Sequence, residues 1–127
     1  ETCRAAGFSK IHAFPFSARR GTPAADMPNQ LPGDLKNERV HRLGDLETQL
    51  RGEYFESLVG EQVQVLIESE NEIATLGSTA PSQRLIRGTT CRYAPAEWVT
   101  GETPLATGDL VDATVTSANA QRVVVAC

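Results

Sequence analysis

A mainly β protein carrying one long helix is the fold this sequence predicts, and three observations predict it. Residues 34–57 hold an apolar stripe at helical spacing. After Gly60 the period drops to two, with Val63, Val65 and Ile67 alternating with mostly polar neighbours. Further short strands then follow at even spacing within about 70 residues, the signature of a small closed or partly open barrel.

The chain's 127 residues fit one ordinary domain, or one small domain with an appendage. Its composition, 40% hydrophobic with only 6% aromatic, calls for a largely aliphatic core. No apolar run approaches the length of a membrane span, and no basic-then-apolar leader opens the chain. The first residue is Glu1 rather than Met, so the chain is expected to begin within a longer protein. Cys3, Cys91 and Cys127 are too far apart for a disulfide framework or a metal site, and read as free thiols of a cytoplasmic protein. Charge is uneven. Residues 1–56 carry eight acidic and eight basic side chains, whereas residues 57–127 carry eight acidic side chains against four arginines, so the whole net charge of −4 lies in the second part.

Taken in order, residues 1–8 read as the end of a helix stopped at Gly7. Ile11, Ala13 and Phe14 suit a buried strand that Pro15 ends, because proline has no N–H for the ladder. Residues 17–22 form a polar, cationic loop: either the rim of a site or a solvated turn. Pro23, Pro28, Pro32 and Gly33 mark a connector. The helix of 34–57 starts at Asp34, a good N-terminal cap, and runs its stripe through Val40, Leu43, Leu46 or Glu47, Leu50 and Tyr54. Gly44 and Gly52 weaken it unless another backbone comes close. Strands are then expected at 62–68, 73–76, 84–88 continuing to 91–93 with a bulge at Gly88, 97–99, 110–116 and 122–126, with turns at 77–82 and 117–120.

At this point the chain resembles a known family. Phe8-Ser-Lys-Ile-His-Ala-Phe-Pro-Phe-Ser17, then Arg19, Gly21-Thr22-Pro23-Ala24-Ala25, Met27 and Gln30, resembles the end of the radical S-adenosylmethionine barrel of tRNA methylthiotransferases. Lys36-Asn-Glu-Arg-Val-His-Arg-Leu43 is similar to the helix that follows it. Leu58-Val-Gly-Glu-Gln-Val-Gln-Val-Leu-Ile-Glu68 and Gly108-Asp-Leu-Val-Asp-Ala-Thr-Val-Thr116 resemble parts of the TRAM domain, an OB-like five-stranded antiparallel barrel that binds RNA. His12-Ala-Phe-Pro-Phe-Ser17 is closest to the branch that 2-methylthiolates threonylcarbamoyladenosine beside the anticodon. Ala18 and Arg20 stand where prolines are common, and Phe16 replaces the more usual Tyr.

The resemblance implies three parts: a remnant of the radical barrel and its connector over 1–33, a linking helix over 34–57, and a TRAM-like RNA-binding barrel over 58–127. It implies a transferase whose cofactors are two 4Fe-4S iron–sulfur clusters and S-adenosylmethionine. The Cys-x-x-x-Cys-x-x-Cys triplet that holds the radical cluster is absent, as is the second cysteine set. The chain is therefore expected to bind no cofactor, to hold no catalytic residue and to be inactive alone. Its implied partners are tRNA, at the anticodon stem-loop, and the remaining N-terminal part of the enzyme. A non-catalytic RNA- or protein-binding module is the alternative. A strand at 11–16 without its sheet would also favour self-association through its edge.

Ser17, Arg19 and Thr22 mark the rim of a substrate or cofactor site, Arg19 by a planar fork suited to phosphate, or else a solvated turn. Arg84, Arg87, Arg92, Tyr93 and Trp98 are the RNA candidates, arginines for phosphates and rings for bases; otherwise Tyr93 and Trp98 fill the barrel and the arginines pair with its surplus acids. His12 is expected as a hydrogen-bonded core residue, His41 as a solvated one. Glu68, Glu70 and Glu72 are expected on a solvated face rather than at a metal.

Overall fold

A computed structural model describes residues 1–73, 83–101 and 104–127. They divide into two compact units, Glu1–Arg51 and Gly52–Cys127.

The first unit opens with α1 (Thr2–Ala6), closed by Gly7 in the left-handed region at φ 65°. The sequence places that stop correctly because only glycine enters this region without a Cβ penalty. The strand expected at 11–16 is not formed: these residues carry no ladder. A strand needs a neighbour for its N–H and C=O groups, and this unit holds none among its described residues. The segment instead lies along the start of α2 (Gly33–Ser57), where the Lys36 ammonium donates to the Phe16 carbonyl at 3.0 Å and sits 5.6 Å from the Phe16 ring centroid. His12 is consequently exposed rather than in a core, as is His41. Pro23–Ala25 adds one turn of 3-10 helix within the connector.

Along α2 the anticipated stripe is the sheltered one: Val40, Leu43, Leu46, Glu47 and Tyr54 are half-buried and Leu50 is buried.

The second unit is a closed barrel in the order β1-β2-β3-β5-β4, built from β1 (Gln62–Ile73), β2 (Gln83–Thr90), β3 (Pro95–Thr100), β4 (Leu110–Ala118) and β5 (Val123–Ala126). Val63, Val65, Ile67, Ile86, Trp98, Val115, Val123 and Val125 fill it, joined by Phe55 and Leu58 from the last turn of α2 and the residue beyond it. Alternation delivers this core, since every second residue of a strand faces inward.

Four points differ from expectation. Ile73 ends β1 rather than starting a new strand; the rest of 73–76, and the turn at 77–82, lie outside the described residues. Cys91, Arg92 and Tyr93 form a turn, not strand. The irregularity near Gly88 lies on the opposite strand, where the register slips between Ile67 and Ser69 and Glu68 is the extra residue. Lastly, the barrel is not wholly antiparallel: β3 and β5 pair in parallel, Ala96 with Val123 and Glu97 with Val124. Because β4 pairs with β1, the chain crosses the barrel before β4, and β5 returns beside β3 in the same direction.

Candidate functional site

The loop at 17–22 is a tight turn. The Thr22 N–H and hydroxyl both donate to the Arg19 carbonyl, at 3.2 and 2.8 Å, and Gly21 takes φ 81°. Glycine at the third position is what such a turn demands. Ser17 and Arg19 are exposed, and Thr22 is half-buried. This cationic turn is thus a solvated one within the unit.

In the barrel, the RNA candidates separate. Arg84 and Arg87 are three residues apart on β2 and so point to opposite faces of the sheet. Arg84 pairs with Glu70 and donates to the Leu105 carbonyl at 2.8 Å. Arg87 lies on the outer face directly opposite Glu97 on β3, with its Nε 3.5 Å from the carboxylate. Trp98 is only 5% exposed and belongs to the core, so it offers no surface for a base. Its buried indole N–H has no hydrogen-bond partner among the described residues. Tyr93 is the opposite case, 89% exposed and next to the exposed Arg92.

Arg122 is the residue that the sequence reading passed over. Its guanidinium donates to the same Glu97 carboxylate that Arg87 faces. The turn between β4 and β5 aims it. Asn119 Oδ1 accepts from the N–H groups of Gln121 (2.8 Å) and Arg122 (3.1 Å), and the Asn119 N–H donates to the Arg122 carbonyl at 3.0 Å. This self-bonding is why asparagine favours turns. Two guanidiniums from β2 and the start of β5 thus converge on one carboxylate, leaving a local excess of one positive charge on the outer β2–β3–β5 face. The signal in sequence was the Asn119 turn immediately ahead of Arg122.

A second concave region lies on the outside of β1, β2 and β4, a cleft of about 310 Å³ lined by Gln64, Leu66, Glu68, Thr89, Tyr93 and Leu110 among others. Cys91 and Cys127 line an adjoining groove of about 530 Å³ with Gln62 and Asp112. Partial burial pushes the Cys127 thiol above its ordinary value, so it is protonated at neutral pH. Among the described residues no three His, Cys, Asp or Glu side chains come together as a metal site, and no helix is long and apolar enough to cross a membrane.

Comparison with known proteins gives relatives named for tRNA methylthiolation. No family model matches the chain. It is 48% identical over 61 residues to the threonylcarbamoyladenosine tRNA methylthiotransferase MtaB of Bacillus subtilis, covering 48% of this chain and 14% of that one. It is 35% identical over 112 residues to the tRNA-2-methylthio-N(6)-dimethylallyladenosine synthase of Moorella thermoacetica, covering 83% of this chain and 25% of the relative. The synthase of the same name from Zymomonas mobilis is 34% identical over 114 residues, covering 88% and 22%. These relatives are tRNA methylthiotransferases, and the match is to their C-terminal region. The chain spans between 14% and 25% of their lengths.

Proposed function

We propose that this chain is the tRNA-holding C-terminal part of a cytoplasmic tRNA methylthiotransferase, and that its barrel is an RNA-binding domain of the TRAM type. One observation carries the reading: the barrel's strand order, with β3 and β5 parallel, places Arg87 and Arg122 together on the β2–β3 face beside the β4–β5 turn. That face and the loops after β1 and β4 are where five-stranded OB barrels take oligonucleotides. The net acidity of residues 57–127 is no obstacle, because a phosphate responds to the local field, where two guanidiniums exceed the one Glu97 carboxylate between them by one positive charge, rather than to the sum of more distant carboxylates. Arginine's planar fork suits it to phosphate oxygens. The parent's substrate would be an adenosine beside the anticodon. The His12-Ala-Phe-Pro-Phe16 run and the match to the Bacillus subtilis protein favour the threonylcarbamoyl branch.

The residues here do not fit an iron–sulfur cluster. Cys3, Cys91 and Cys127 are free thiols with no Cys-x-x-x-Cys-x-x-Cys spacing, whereas a cluster needs several thiolates converging on one point. Cluster and S-adenosylmethionine chemistry would belong to other parts of a longer protein. Exposure of Phe14, Phe16 and Met27, which line two clefts of the first unit that share Phe16, supports such a surrounding, since contiguous apolar surface is ordinarily covered. In this reading, Ser17, Arg19 and Thr22 take up their place at the rim of the substrate site only within that longer protein.

Fluorescence anisotropy of a labelled anticodon stem-loop RNA, titrated with the chain at low ionic strength, tests the RNA role. Saturable binding that weakens with salt is the expected result. No binding at 20 mM salt and tens of micromolar protein sinks it.

A further inference from the structure

The turn after β2 is built to present one ring. Tyr93 has φ 59°, a conformation that costs any residue with a Cβ and that glycine or asparagine would adopt more readily. The surrounding hydrogen bonds hold it there. Tyr93 N–H donates to the Thr90 carbonyl at 2.9 Å, and Thr90 N–H to the Ala94 carbonyl at 2.9 Å. The buried Thr90 hydroxyl accepts from the N–H groups of Arg92 and Ala94, at 3.2 and 3.0 Å. Cys91 N–H donates to the Gln64 carbonyl at 2.8 Å, and the Tyr54 hydroxyl donates to the Arg92 carbonyl at 3.0 Å. Yet the ring itself is 89% exposed and adds almost nothing to the core. Strain fixed by its surroundings, in a side chain the fold does not use, points to a ligand.

The cleft beside Tyr93 specifies the kind of ligand. Leu66 and Leu110, 42% and 67% exposed, give it apolar walls. Its volume, about 310 Å³, suits a small planar group. Glu68 lines it because alternation along β1 sets Gln64, Leu66 and Glu68 on the outer face, where Glu68 is also the extra residue of the bulge. Glu68 Oε1 already accepts the Thr89 hydroxyl at 2.9 Å, and its other oxygen can only accept. A carboxylate here rejects phosphate and selects a group with an N–H donor, as an acidic side chain reads an exocyclic amine. Thr89 lies two residues from Arg87 on the outer face of β2, about 7 Å along the strand.

We infer that this cleft takes one unpaired nucleobase bearing an exocyclic amino group, stacked on Tyr93 and donating to Glu68, while the backbone of the same strand passes Arg87. The inference rests on the RNA role proposed above and names its base-reading site.

Binding of the full chain to single-stranded oligo(A), oligo(C) and oligo(U) hexanucleotides tests it, with Tyr93→Gly, Tyr93→Phe and Glu68→Ala as variants. Tyr93→Gly is expected to weaken oligo(A) and oligo(C) about tenfold without changing the salt slope, since stacking releases no counterions. It should unfold no lower than wild type, because glycine relieves the strain at this position. Tyr93→Phe keeps the ring and should bind within about twofold of wild type. Oligo(U) should bind the wild type about fivefold more weakly than oligo(A), a gap that Glu68→Ala closes. Wild-type binding with an indifferent Tyr93→Gly, or equal affinity for all three homopolymers, overturns the cleft and leaves the arginine face standing. A wild type that binds no RNA overturns both.

Discussion

Gly88 faces the carbonyl of Leu66 so closely that a Cβ on Gly88 would lie 2.1 Å from that oxygen. The contact falls where β1 carries its extra residue, and it lets the β1–β2 ribbon bend into a closed wall. A glycine inside a strand marks such a close approach. Gly88→Ala should therefore be severe, with a loss of about 3 kcal/mol or failure to fold, because backbone rather than a flexible side chain must move. Urea unfolding followed by circular dichroism measures it; a midpoint shift equivalent to under about 0.5 kcal/mol would show that the strands separate freely here.

Gly44→Ala should act in the other direction. A Cβ at Gly44 meets nothing within 4 Å among the described residues, and the residue sits inside α2. Alanine should stabilise by about 0.5–1 kcal/mol through helix propensity. A thermal midpoint that falls on substitution would mean that this stretch of α2 is not helical in solution.

Trp98 separates core from interface. As the only tryptophan, buried at 5% exposure, it should emit at short wavelength, resist quenching by iodide and keep its emission when RNA is added. Trp98→Ala should cost about 3–5 kcal/mol through the cavity it leaves. Trp98→Phe should cost less, since phenylalanine keeps most of the ring volume and the buried indole N–H has no partner among the described residues to lose. Strong quenching by single-stranded RNA would place the ring at the surface.

These positions also show why parts of the molecule were legible from residues alone. The α2 stripe and the alternation of Val63, Val65 and Ile67 declare themselves because periodicity is local. The 11–16 segment has strand-like residues, but a strand is a property of a pair, and its partner is not written in its own sequence. Cys91-Arg92-Tyr93 misled because turns are recognised by glycine and asparagine, and here tertiary hydrogen bonds force a tyrosine into the left-handed region. The β3–β5 pairing depends on where the chain crosses the barrel, which no single strand encodes. Trp98 and Tyr93 were interchangeable by composition; alternation along β3 sends Trp98 inward, while the turn between β2 and β3 leaves Tyr93 out. Arg122 lies 25 positions from the Glu97 it meets, so it gained its meaning only from the fold.

The most direct test of the barrel as the RNA-holding part is the salt dependence of anticodon stem-loop binding by wild type and by Arg87→Ala/Arg122→Ala. Each arginine that meets a phosphate should contribute roughly 0.7–0.9 to the slope of log affinity against log salt. The double variant should therefore bind more weakly at 50 mM salt, with a slope shallower by about 1.5, while keeping its unfolding midpoint within about 1 kcal/mol because both pairs are solvent-screened. An unchanged slope in a folded double variant would contradict a phosphate-binding role for the β2–β3–β5 face.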